Sequence, residues 1–243
     1  MAPTLLILRP EPGASRFAAA ARARWGPDLR LIVSPVMRIE RRGDLPPLDD
    51  VRTLIFTSRN GVAAFAAASD RRDIPAFAVG DATAERARAA GLSVTACGGD
   101  ARDLIVRVAA AEPATPCLHL RGEHAAVDLA AALNQAGIET REAVLYRQVA
   151  QEMTAAARAA LDGAAPVLVP LFSARSARLF FAAGAARAPL FAAAISANVA
   201  AEVPDERVRL LSVAERPDGD GVMMALDELM DAAKRLEGNN PAQ

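Results

Sequence analysis

Phe56-Thr57-Ser58-Arg59-Asn60 and Phe172-Ser173-Ala174-Arg175-Ser176 are two versions of one phrase. Each joins an apolar strand end to a hydroxyl-bearing turn, an arginine and then an Ala-rich segment with helical spacing. The first leads into Phe65-Ala66-Ala67 and the second into Phe181-Ala182-Ala183, and Phe56 and Phe172 stand 116 positions apart. The next stretch keeps that offset. Ala78-Val79-Gly80-Asp81-Ala82-Thr83-Ala84 parallels Ala194-Ile195-Ser196-Ala197-Asn198-Val199-Ala200, with Val79 and Ile195 again 116 apart. Chance matching in an Ala-rich chain does not account for the shared hydroxyl and arginine positions, so the pattern reads as an internal repeat of two α/β halves.

Outward from these phrases, short apolar runs recur near 5–9, 31–34, 53–57, 76–79, 94–97, 117–121, 167–172, 191–195 and 208–211. Segments with helical spacing fill 14–24, 60–68, 82–90, 102–111, 126–136, 154–161, 175–183, 198–202 and 221–236. Such alternation is the pattern of helices covering a parallel sheet. Residues 36–40 and 141–147 instead alternate apolar with polar side chains, as half-exposed strands do. The expected fold is therefore α/β: two similar parallel-sheet α/β domains joined by a two-stranded connector. One domain is discontinuous, residues 1–35 plus 148–243; the other is inserted, 40–142; the connectors are 36–40 and 141–147. A loose tail is expected from about residue 237.

Composition narrows the function. The chain has 243 residues, 52% of them hydrophobic, and a formal charge of -1. Nucleic-acid binding is not expected without a basic footprint. The first apolar run is too short for a signal-peptide core, and the 179–195 stretch is broken by Arg187 and Pro189, so a soluble cytoplasmic protein with no membrane partner is expected. Cys97 and Cys117 lack CxxC spacing, and His119 and His124 have no second ligand pair, so no metal is expected. No GxGxxG follows the first strand, no GxxxxGK[ST] occurs, and no Ser-His-Asp order can be assembled, so the familiar cofactors and nucleophiles are absent.

What remains is a set of polar turns. In open parallel sheets the carboxyl ends of the strands, with the helix starts that follow, face the ligand. Thr57-Ser58-Arg59-Asn60, Gly80-Asp81-Ala82-Thr83, Arg121-Gly122-Glu123, Ser173-Ala174-Arg175-Ser176 and Ser196-Ala197-Asn198 all occupy such places. Helix starts attract carboxylates and phosphates through their N–H groups. Helix capping accounts for any one of these hydroxyls alone; their gathering on one rim in both halves argues for a polar crevice between the domains.

At five places the chain resembles the uroporphyrinogen-III synthase family: Leu6-Ile7-Leu8-Arg9-Pro10, Ile55-Phe56-Thr57-Ser58-Arg59-Asn60-Gly61-Val62, Val79-Gly80-Asp81-Ala82-Thr83-Ala84, Leu118-His119-Leu120-Arg121-Gly122-Glu123 and Val144-Leu145-Tyr146-Arg147. Each fragment is weakly specific, whereas their order and spacing together are not. The resemblance implies two α/β domains linked by a two-stranded ladder and a cofactor-free lyase of heme biosynthesis. Its small-molecule substrate is hydroxymethylbilane, a linear tetrapyrrole, which it closes with loss of water and inversion of ring D through a spiro intermediate. It implies a monomer and allows a transient contact with the preceding enzyme of the pathway.

By the same resemblance, Tyr146 holds the position suspected of helping the hydroxyl leave; a connector tyrosine packing at the domain junction is the alternative. Arg9, Thr57, Ser58, Arg59, Thr83, Arg121, Ser173, Ser196 and Asn198 are the expected substrate-binding residues. Where many members have a Gly-Pro-Thr-Thr turn, this chain has Ser196-Ala197-Asn198-Val199, which leaves Ser196 and Asn198 as substitutes for a lost hydroxyl. A two-lobed ligand-binding protein without catalytic activity is the other reading of paired α/β lobes.

Overall fold

The computed structural model describes residues 2–125 and 127–238. In chain order the elements are β1 (Thr4–Ile7), α1 (Gly13–Trp25), β2 (Arg30–Val33), β3 (Met37–Arg41), β4 (Thr53–Phe56), α2 (Arg59–Ala68), β5 (Ala76–Ala78), α3 (Asp81–Ala89), β6 (Val94–Ala96) and α4 (Ala101–Ala111). There follow β7 (Cys117–Gly122), α5 (Leu129–Gln135), β8 (Thr140–Ala150), α6 (Ala155–Leu161), β9 (Val167–Leu171), α7 (Ala174–Ala182), β10 (Leu190–Ala194), α8 (Ala197–Ala200), β11 (Leu210–Val213) and α9 (Gly219–Gly238). The chain divides into two compact units, one made of the chain up to Arg38 and from Ala150 onward, the other of Ile39–Val149.

In the first unit the described strands form one sheet in the order β11-β10-β9-β1-β2, with every neighbouring pair parallel. Parallel strands covered by helices on both faces carry apolar side chains on both, and β1, β9 and β10 are buried at every position. Leu6, Val169 and Ala192 point to the face shared with Phe180 of α7 and Leu161 of α6. Leu5, Leu168 and Phe191 point to the face packed by Phe17 of α1 and Leu226 and Leu229 of α9.

The second unit has the order β3-β8-β7-β4-β5-β6. Pairs from β8 through β6 are parallel, and β3 lies on the outer edge beside β8. Leu54, Phe56, Leu118 and Leu120 face Val62 and Phe65 of α2 and Ala87 of α3. Ile55 and Cys117 face Leu104 and Val108 of α4 and Leu129 and Leu133 of α5. Both cysteines are buried and free, and burial pushes each thiol above its ordinary range.

Several expected boundaries shift for visible reasons. The helix expected over 126–136 begins at Leu129, because the Asp128 carboxylate caps it by accepting the Ala131 N–H at 3.0 Å; residue 126 lies outside the described residues. The strand expected over 208–211 sits two residues later, after a 3-10 turn at Asp205–Arg207. The expected loose tail lies outside the described residues from 239 onward, and α9 continues to Gly238.

Two local contacts take the same form in the two units. Val79 N–H donates to the Phe56 carbonyl, and Ile195 N–H donates to the Leu171 carbonyl. Ser58 and Ser173 are both helix N-caps with extended backbone.

Candidate active site

In the second unit the carboxyl ends of β7, β4 and β5 lie side by side, so the turns that follow them share one rim. Ser58 is the N-cap of α2, with extended backbone at φ -157 and ψ 154, and its Oγ accepts the Gly61 N–H at 3.0 Å. Such a cap satisfies one of the helix's four orphan donors. Close approach of α2 to the sheet requires Gly61, since a Cβ there would stand 2.6 Å from the Leu120 carbonyl oxygen.

The same Ser58 Oγ lies 2.7 Å from the Tyr146 hydroxyl. Tyr146 reaches it because of a bulge: β7 and β8 run in register from Cys117↔Thr140 to Arg121↔Val144, and then Gly122 pairs with Tyr146. The extra residue in β8 turns Tyr146 to the face that also holds Leu145, against α2, where plain alternation would have sent it to the opposite face. Gly122 is the seat for the ring, because a Cβ there would lie 2.6 Å from two ring carbons.

Tyr146 is 7% exposed and packs among Phe65, Leu120 and Leu145. Burial pushes its phenol above the ordinary value near 10, with the Ser58 hydroxyl and the Gly122 backbone N–H pulling the other way. The phenol therefore holds its proton at neutral pH. Ser58 Oγ already accepts the Gly61 N–H, and the Ser58 and Tyr146 hydroxyls share one hydrogen bond, so one of their two protons is left to donate elsewhere.

On the opposite face a second polar chain runs across three strands. Thr57 Oγ1 lies 3.1 Å from His119 Nε2, and His119 Nδ1 lies 3.2 Å from Glu142 Oε1. Arg121 closes the chain with Nε at 2.9 Å and Nη2 at 2.8 Å from Glu142 Oε2. His119 and Glu142 are direct partners in the β7–β8 ladder. His119 is 1% exposed, and burial lowers its pKa, opposed by Glu142, lowered further by Arg121 and raised slightly by Asp128.

The expected site residues fall as follows. Thr57, Ser58, Arg121 and Tyr146 gather around the ends of β4 and β7, and Arg59 opens α2 beside them with an exposed side chain. Arg121, an expected substrate-binding residue, meets Glu142 with its guanidinium and donates through Nη1 to the carbonyls of Gly122 and Glu123. Thr83 lies in the first turn of α3 with its side chain 6% exposed.

In the first unit, Ser173 caps α7, accepting the Ser176 N–H at 3.1 Å while its Oγ meets Ser176 Oγ at 2.8 Å. Ser196 precedes α8 without a side-chain cap, and Asn198 is exposed on that short helix. Val199 is buried against the core. Arg9 follows β1 with its guanidinium carbon 4.0 Å from the centre of the Phe172 ring.

Sequence reasoning missed His119 and Glu142. The sequence offers the histidine as a metal ligand or as a member of a Ser-His-Asp set, and neither can be assembled around it. A lone histidine inside the apolar run Cys117-Leu118-His119-Leu120 was the available signal, because a buried imidazole needs partners on both nitrogens.

These helix starts, hydroxyls and the buried phenol lie at the carboxyl ends of parallel strands, the end at which open α/β sheets hold their ligands. The family model described as uroporphyrinogen-III synthase HemD matches residues 20–223. The chain belongs to the uroporphyrinogen-III synthase family, whose activity serves porphyrin and heme biosynthesis. Among solved structures it is similar to the uroporphyrinogen-III synthetase of Helicobacter pylori, at 16% identity and a TM-score of 0.68, over 94% of this chain and 100% of that one. It is also similar to a mutant uroporphyrinogen III synthase of Thermus thermophilus, at 15% identity and a TM-score of 0.50, over 93% and 100%. At such identities these likenesses speak to the mixed α/β fold with parallel sheets. No curated protein matches significantly. Among the described residues, no helix is long and apolar enough to cross a membrane.

Proposed function

We propose that the chain acts as a cyclising hydro-lyase on hydroxymethylbilane, with the Ser58–Tyr146 pair donating the proton on which the substrate's hydroxyl departs. The observation that carries this reading is the buried phenol hydrogen-bonded at 2.7 Å to a serine on the rim. The C–O bond of the terminal hydroxymethyl group breaks as electrons from its pyrrole nitrogen replace it, and the oxygen leaves as water with the donated proton. The distal pyrrole then attacks the resulting azafulvene at its substituted carbon, giving the spiro intermediate. Fragmentation and reclosure through its free α-carbon invert ring D, and the proton lost from that carbon restores the aromaticity of ring D and balances the one donated.

Unassisted closure gives the isomer without inversion, so the protein's larger task is to hold the two ends of the bilane for the other closure. Carboxylates suit the helix starts after Ser173 and Ser196, with Arg9 and Asn198, in the first unit, and those after Ser58 and Gly80, with Arg59, in the second. Thr57 and Thr83 belong to the same rim on this reading. It has the protein work in the cytoplasm as a monomer, with no cofactor.

The two units are read as copies of one α/β unit, joined where the chain passes through β3 and β8. Like backbone angles at Ser58 and Ser173, and at Gly80 and Ser196, support this. Freshly generated hydroxymethylbilane tests the function: the porphyrinogens are oxidised and the isomers separated. An excess of isomer III over the spontaneous product is expected. A product ratio unchanged by the protein would overturn the reading and revive that of a ligand-binding protein.

A further inference from the structure

We propose that His119 and Glu142 are positioning residues that fix the Thr57 hydroxyl with its proton turned inward, so that Thr57 presents only lone pairs to the rim and accepts from N–H donors, such as a pyrrole, in preference to meeting a carboxylate. This rests on the reading of the rim as the substrate site. The direction of every bond in the chain follows from its fixed end. Arg121 has only donors and occupies Glu142 Oε2. Glu142, ion-paired there, offers only an acceptor through Oε1, so His119 Nδ1 carries a hydrogen toward it. Burial keeps the imidazole neutral, so Nε2 is an acceptor and the Thr57 O–H must be the donor in the 3.1 Å contact.

Around His119 the charged groups are Glu142 on β8, Arg121 on its own strand and Asp128 at the start of α5. On the neighbouring strand its ladder partner is the apolar Ile55, which belongs to one apolar cluster with Leu104 and Leu129. The polarity of one rim hydroxyl is therefore set by an ion pair two side chains away. Carboxylates are left to the helix starts and arginines, while Thr57 selects for the N–H face of the substrate.

Glu142→Gln reverses the chain without changing its shape. Arg121 would take the amide oxygen, the amide NH2 would face His119 Nδ1, and the ring would switch its hydrogen to Nε2 and turn the Thr57 proton outward. Nitrogen-15 spectra of labelled histidine, in a His124→Gln background that leaves one imidazole, read this directly. The expected native form has the hydrogen on Nδ1 and the Glu142→Gln form has it on Nε2. Kinetics supply the second readout: Glu142→Gln should lower kcat/KM for hydroxymethylbilane roughly tenfold, and less than twofold when Thr57 is already Val. A native ring protonated on Nε2, or an equal kinetic loss with and without the Thr57 hydroxyl, would overturn the proposal. Failure of the native protein to form isomer III would overturn the substrate reading alone, since the nitrogen spectrum would still decide the polarity of Thr57.

Discussion

Ser58 and Tyr146, 88 residues apart in the chain, meet hydroxyl to hydroxyl at 2.7 Å. The serine is half-buried as the cap of α2, and the tyrosine is buried behind it in the core of its unit. A capping residue is thereby also the partner of a buried phenol, and the helix cap and the phenol contact share one oxygen.

Tyr146→Phe removes that hydroxyl and leaves Ser58 Oγ without its 2.7 Å partner. Turnover of hydroxymethylbilane should fall by one to two orders of magnitude, about 1.4 to 2.8 kcal/mol of barrier. The ring packing is retained, so stability should drop by only about 1 to 2 kcal/mol. Steady-state rates and a thermal melt measure the two; full turnover at saturating substrate would remove Tyr146 from the mechanism.

Gly122→Ala places a methyl group 2.6 Å from the Tyr146 ring carbons. The ring must shift or β7 must move, and overpacking of this kind costs about 1 to 3 kcal/mol. Because the displaced atoms carry the hydroxyl, turnover should fall along with the melting temperature. A variant with native stability and native rate would show that the ring is not held by this contact.

Ser58→Ala and Ser173→Ala each delete a helix cap, and each should destabilise by about 1 kcal/mol. Their kinetic effects should differ, because Ser58 also holds the phenol whereas Ser173 pairs with Ser176. Denaturant unfolding should find the two alike, and rate measurements should find Ser58→Ala the slower enzyme by about tenfold. Equal rates would disconnect Ser58 from proton donation.

His119 gives stability a sign with pH. Burial lowers its pKa in the folded protein from the ordinary 6.5. Above that value both the folded and unfolded forms are neutral. Below it the unfolded chain takes up a proton that the folded one refuses, so stability falls as pH falls through 6.5 and levels only beneath the folded pKa. Urea unfolding at pH 7.5 and 5.5 should show the loss, and His119→Gln should remove this contribution. A native protein that gains stability on acidification, with His119→Gln unchanged, would contradict the assignment.

Much of the fold was legible before any coordinates, and the reason is burial. A strand covered on both faces must be apolar throughout, so Thr53–Phe56 and Val167–Leu171 announce themselves as short continuous runs. Helices that cover a sheet show apolar spacing, and hydroxyls at their starts mark the caps. The boundary errors fell where a side chain of one residue decided the geometry, as at Asp128, or where a 3-10 turn intervened before β11.

By itself, the sequence determined the alternation of strand and helix, the polar turns after β4, β5, β9 and β10, and the likeness of Tyr146 and its neighbours to one enzyme family, because these depend on local periodicity and on residues close in the chain. Only the tertiary structure decided which hydroxyl Tyr146 would meet. Alternation along β8 alone would direct its ring to the face of α4 and α5, and one bulge opposite Gly122 sends it to α2. Only the tertiary structure, likewise, set Thr57, His119, Glu142 and Arg121 in line, since each bond joins residues on neighbouring strands whose register no single segment encodes. Hydrophobic burial is non-directional and can be read from composition along the chain; hydrogen bonds are directional and exist only once the strands are in register.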